Sequence, residues 1–150
     1  MTFDEAKSQL EEASLGTIDR PRILIVDDDQ DQAECLSYRL KQQGYDPQIA
    51  SSCSAALVAA EISPPDLIVL DICLPDGDGL NVCGQLNDDT ATCEIPVIVL
   101  SAMDSPNIVR KARAAGCEFY LRKPYDPNAL LALIKNAIRR ESEGIEDGLL

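Results

Sequence analysis

Four short apolar runs recur along the chain: Ile23–Val26, Leu67–Leu70, Val97–Leu100 and the weaker Phe119–Leu121. Pro47–Ala50 is a fifth candidate. The strong runs do not alternate with polar residues, the pattern of strands covered on both faces in a parallel sheet. Between them the period changes. Gln30–Gln43 places Ala33, Leu36 and Leu40 on one helical face, and Gly44 ends it. Ser54–Ile62 reads as a second helix, stopped by Pro64-Pro65, and Leu80–Leu86 as a third. Ile108, Ala112 and Ala115 mark a fourth, closed by Gly116, and Leu130, Ile134, Ala137 and Ile138 mark a fifth. The order βαβαβαβαβα predicts a doubly wound α/β sheet.

Both ends differ from this pattern. Thr2-Phe3-Asp4-Glu5 has capping-box spacing, so residues 1–20 read as an extension that carries either a short helix or frayed chain. Residues 141–150 read as an acidic, mobile tail. That leaves 21–140 as one domain.

Charge sharpens the picture. The 150 residues carry a net charge of −13, which disfavours general nucleic-acid binding, because phosphates would repel the protein. Eight of the thirteen bases lie between Arg110 and Arg140, opposed there only by Glu118 and Asp126. No apolar run approaches the length of a membrane span, and Met1–Leu10 lacks the apolar core of a signal peptide, so a cytoplasmic location is expected. There is no histidine, which removes serine–histidine and cysteine–histidine catalysis. The six cysteines form no CxxC pair, and most are expected to behave as small apolar residues.

In open parallel sheets, functional residues gather beyond the carboxyl ends of the strands. The first strand ends in Asp27-Asp28, the third in Asp71 and the fourth in Ser101, while the fifth leads to Lys123-Pro124. Crowded carboxylates repel unless a cation sits among them. Few oxygen ligands suggest Mg²⁺, which keeps several waters and binds one or two carboxylates with a phosphate. A hydroxyl and a lysine suit the remaining phosphoryl oxygens, so the edge reads as a site of metal-assisted phosphoryl transfer. Asp29 and Asp31 read as solvated or as part of a helix start, where negative charge is favoured.

The stretches ILIVDDD at 23–29, LIVLDICLPDGDGL at 67–80, IPVIVLSA at 95–102 and YLRKP at 120–124 resemble the receiver domain of two-component response regulators. The resemblance covers about Arg22 to Arg140. It implies a flavodoxin-like sheet of five parallel strands in the order 2-1-3-4-5, with five helices. It also implies that Asp71 accepts a phosphoryl group from a phosphohistidine. Mg²⁺ would be held by Asp28, Asp71, the backbone carbonyl of Cys73 and, through water, Asp27. Ser101 and Lys123 would contact the phosphoryl group, the Lys123–Pro124 bond would be cis, and Tyr120 would be the aromatic switch. Pro75, Asp78 and Gly79 fit the loop after the phosphorylated strand. Cys73 and Met103 stand where such domains tune phosphoryl lifetime, and neither orients an attacking water, so self-dephosphorylation should be slow.

The implied partners are a sensor histidine kinase or phosphotransfer protein and an unidentified downstream protein, with a phosphorylation-dependent homodimer as a further expectation. No activity is expected beyond self-catalysed phosphorylation and dephosphorylation. The 150 residues hold no output domain, which suits a stand-alone, chemotaxis-regulator-like receiver, a relay intermediate or part of a larger protein.

A phosphatase of the haloacid dehalogenase type is the enzyme alternative, with Asp27 as nucleophile in an Asp-x-Asp motif completed by Asp29. It leaves Asp71 unexplained. A calcium loop over Asp27, Asp29 and Asp31 fails, because Gln32 stands at the glycine position and Tyr38 at the bidentate Glu. Neither GxGxxG nor GxxxxGK is present.

Overall fold

The computed structural model describes residues 20–102, 106–117 and 119–147. The suggested helix near Thr2–Glu5, Met103 and the last three residues lie outside that set. Five strands alternate with five helices: β1 (Arg22–Val26), α1 (Gln30–Gln42), β2 (Asp46–Ala50), α2 (Cys53–Ile62), β3 (Leu67–Asp71), α3 (Gly79–Asp88), β4 (Val97–Ser101), α4 (Pro106–Ala114), β5 (Phe119–Arg122) and α5 (Pro127–Asp147). All neighbouring strands are parallel, in the order β2-β1-β3-β4-β5. This is the flavodoxin-like doubly wound sheet expected from the sequence.

Strand alternation divides the core in two. Ile23 and Ile25 of β1 point to one face, where Leu36 and Leu40 of α1 meet Leu130 and Ile134 of α5. Leu24 and Val26 point to the other, against Ala56 and Ala60 of α2, Leu80 and Leu86 of α3 and Ala112 of α4. Burial on both faces explains why β1, β3 and β4 are unbroken apolar runs. Edge strand β2 is exposed at alternate positions, and there Pro47 is tolerated.

The structure departs from the sequence reading in four places. Helix α2 begins at Cys53 because Ser52 caps it, its side chain accepting from Ala55 N. A small antiparallel hairpin, Cys73–Leu74 with Gly77–Asp78, follows β3. Helix α5 continues to Asp147, past the domain limit at Arg140 drawn from the sequence. Cys83 and Cys117 are buried and Cys53 packs against the core, whereas Cys35, Cys73 and Cys93 are exposed, so half of the cysteines rather than most serve as core residues.

Candidate functional site

The strand order reverses direction at β1, and its crevice opens between the carboxyl ends of β1 and β3. Asp27 follows β1 directly and Asp71 is the last residue of β3. Both are nearly buried, while Asp28 is exposed. One carboxylate oxygen from each of Asp27, Asp28 and Asp71 lies within 4.8 Å of the others. The three sequence-predicted acids therefore share one site.

Lys123 enters from the loop after β5. Its Nζ donates to Asp71 Oδ2 at 2.9 Å, to Gln32 Oε1 at 3.0 Å and to Asp27 Oδ2 at 3.5 Å. Its backbone N donates to Ser101 O at 2.8 Å, and the Lys123–Pro124 bond is cis. Ser101 is fully buried at the end of β4. Tyr120 is half-buried on β5, opposite Val99, and packs against the core face that holds α3 and α4.

The loop after Asp71 is fixed by backbone hydrogen bonds. Cys73 N donates to Asp71 Oδ1 at 3.0 Å, and Gly79 N to Ile72 O at 2.8 Å. A Cβ at Gly79 would lie 2.5 Å from Asp71 O and 2.8 Å from Ile72 Cα, so only glycine lets α3 start so close to β3. Asp78 caps α3 through Leu80 N. Asp76, which the sequence reading missed, crosses to α2 and accepts from Cys53 N at 2.7 Å and Ser54 N at 3.1 Å. Those bonds hold its carboxyl below the usual carboxylate range. Proximity to Pro75 in sequence gave no sign of this long-range cap.

Electrostatics follow from the crowding. Burial raises the Asp27 carboxyl above its ordinary value; the Asp29 N–H and Lys123 oppose the shift, and the charge of Asp71 adds to it. Burial alone would lower Lys123, but the hydrogen bond and charge of Asp71, with help from Asp27, more than offset it, so the ammonium is held above the ordinary lysine value. Lys123 is the one cation bridging two of the three acids among the described residues. Three carboxylates against one ammonium leave an excess of negative charge with oxygen donors. This donor set fits a hard divalent cation such as Mg²⁺.

Fold and site together define a receiver, and comparison agrees. Residues 23–135 match the sequence profile of the response regulator receiver domain. The chain belongs to that family. It is 38% identical over 120 residues to the DNA-binding dual master transcriptional regulator RpaA of Synechocystis sp., covering 80% of this chain and 50% of that protein. It is equally identical, over 119 residues, to the alkaline phosphatase synthesis transcriptional regulatory protein PhoP of Bacillus subtilis, covering 79% and 49%. The chain thus spans about half the length of these curated relatives. Among solved structures, it resembles a CheY-like response regulator receiver domain protein from Methanospirillum hungatei, with a TM-score of 0.79, 27% identity and coverage of 83% and 98%. The BeF3-activated DrrB receiver domain gives a TM-score of 0.72 at 28% identity, covering 80% and 98%.

Proposed function

We propose that this chain is a phosphorylation-activated signalling switch in which Asp71 receives a phosphoryl group from the phosphohistidine of a sensor histidine kinase or phosphotransfer protein. The observation that carries the reading is the meeting of Asp27, Asp28 and Asp71 within 4.8 Å, with Lys123 2.9 Å from Asp71. An Asp71 carboxylate oxygen forms the new P–O bond as the P–N bond to histidine breaks, and the imidazole leaves with that electron pair. Asp28, Asp71 and the Cys73 carbonyl would hold Mg²⁺, with Asp27 acting through water. The bound ion would supply charge neutralisation for the phosphoryl oxygens.

The chain's own residues account for the rest. Asp71 is presented at a strand end, with Oδ1 held by Cys73 N, so its carboxylate is already oriented. Lys123 offers a positive charge for a phosphoryl oxygen, and Ser101 a hydroxyl at the neighbouring strand end. Movement of Ser101 and Lys123 toward the added charge would let Tyr120 turn inward. The surface made by α4, β5 and α5 would then change affinity for a partner. The likeness to a receiver described as BeF3-activated supports such a two-state reading.

The named relatives include DNA-binding regulators, but the shared part is the receiver half. For this acidic chain the proposed output is a protein partner. The exposed bases Arg110, Lys111 and Arg113 on α4 favour an acidic one.

Incubation with acetyl phosphate and Mg²⁺ should add one phosphoryl group, mapped to Asp71 and absent in Asp71→Asn. Label on Asp27, retained in Asp71→Asn, would replace this reading with the phosphatase alternative.

A further inference from the structure

Helix α1 opens with capping-box spacing, Asp29-x-x-Gln32. In that motif the side chain at the third helical position folds back onto the N–H of the cap residue. Here that N–H is already taken: Asp29 N donates to Asp27 Oδ1 at 2.9 Å. The other half of the motif is intact, because Asp29 Oδ1 accepts from Gln32 N at 3.2 Å. The Gln32 carboxamide is therefore released from capping, and its Oε1 accepts from Lys123 Nζ at 3.0 Å. Lys123 returns to Asp27 at 3.5 Å. Four hydrogen bonds close a ring through Asp27, Asp29, Gln32 and Lys123, and the fifth, at 2.9 Å, points from Lys123 to Asp71.

We propose that Gln32, anchored by Asp29, is a positioning residue for phosphoryl transfer that aims the Lys123 ammonium at Asp71. This deepens the function proposed above and rests on it. An ammonium carries three donors on a flexible four-carbon stem, so one or two acceptors leave it free to swing. Asp27 and Asp71 supply two, and Gln32 supplies the third from a different element. That third acceptor is neutral. A carboxylate at the same place would compete for the ammonium as phosphoryl charge arrives, whereas a carboxamide fixes direction and leaves the positive charge available. Gln32 itself is exposed, so the tie serves the lysine rather than the core.

The test is the rate of Asp71 labelling by acetyl phosphate with Mg²⁺ in the full chain. Gln32→Met keeps length and removes the acceptor; labelling should slow about three- to tenfold, the scale of one partly solvated charge-assisted hydrogen bond. Asp29→Ala should slow it similarly, and Asp29→Asn, which keeps a capping oxygen, should retain more of the rate. In a Lys123→Met background the Gln32→Met loss should vanish, because a residue acting through the lysine has nothing left to position. A wild-type chain that never labels Asp71 would overturn the functional reading and this inference with it. A wild-type chain that labels normally while Gln32→Met keeps its rate would overturn the inference alone. So would a Gln32→Met loss that persists undiminished in the Lys123→Met background.

Discussion

Neutralising one acid of the cluster should make the metal-free protein more stable, and Asp27→Asn is the sharpest way to show it. The three carboxylate oxygens lie within 4.8 Å of one another, and at that limit two carboxylates repel by about 3.5 kcal/mol at an effective dielectric of about 20. Asp27 faces two such neighbours. Lys123, 3.5 Å away, returns about 4.7 kcal/mol at the same dielectric, which leaves roughly 2 kcal/mol of net repulsion. Asp28 is exposed, so water and salt reduce this to about 1 kcal/mol. The pKa of Asp27 is also raised, with burial as the largest cause, while Lys123 lowers it more than Asp71 raises it. A carboxyl whose folded value lies above its unfolded one favours the fold in its neutral form. That contribution is whole below the ordinary value of 3.8 and is lost as pH rises through the folded value. Near neutral pH the ionised Asp27 is therefore a cost, which asparagine removes while keeping an oxygen for Asp29 N. Thermal unfolding followed by circular dichroism in chelator at neutral pH should show Asp27→Asn melting about 2–4 °C above wild type. Added Mg²⁺ should raise wild type more than the variant. Acidification should close the gap. A variant that melts at or below wild type in chelator would refute the account of Asp27 as a buried, crowded charge that costs stability.

Three further outcomes follow from named residues. Gly79→Ala places a methyl 2.5 Å from Asp71 O, so it should cost about 1–3 kcal/mol in denaturant unfolding and slow Asp71 labelling, since the obstructing atoms are backbone. Ser101→Ala should still label at Asp71 but lose the phosphorylation-dependent change at Tyr120, read from tyrosine ring resonances; an unaltered change would remove Ser101 from the switch. With Cys73 beside Asp71 and Met103 after Ser101 in sequence, the phosphorylated chain should lose its label slowly, and a half-life of only seconds by mass spectrometry would count against that reading.

The fold was legible because burial on both faces left a direct trace. Uninterrupted apolar runs at Leu67–Leu70 and Val97–Leu100 could be little else than covered strands, and each strand ends in a polar residue, Asp71 or Ser101. Asp71 and Ser101 were visible for the same reason: a polar residue ending a buried strand falls on the edge where the chain can meet a ligand. Caps and loop ties left weaker traces. Asp76 reaches α2 across 22 and 23 positions, and nothing local in Pro75-Asp76-Gly77 encodes that partner. The small hairpin was equally silent, since two-residue strands have no period to detect.

Gln32 is the instructive miss. Its spacing from Asp29 was readable as a capping box, and read that way it would have been assigned to helix stability alone. The sequence also crowds an aspartate two positions before the cap, and only the folded backbone shows that Asp27 displaces Gln32 from its local partner. Two ordinary local preferences compete for one N–H, and the loser is turned toward Lys123. The run of aspartates after β1 thus does two separate things. Asp27 and Asp28 join Asp71 in the acidic cluster, while Asp29 starts the helix that carries the third anchor of the lysine. A receiver with an apolar residue in place of Gln32 would keep the fold and the acids, yet hold the same ammonium by two acceptors instead of three.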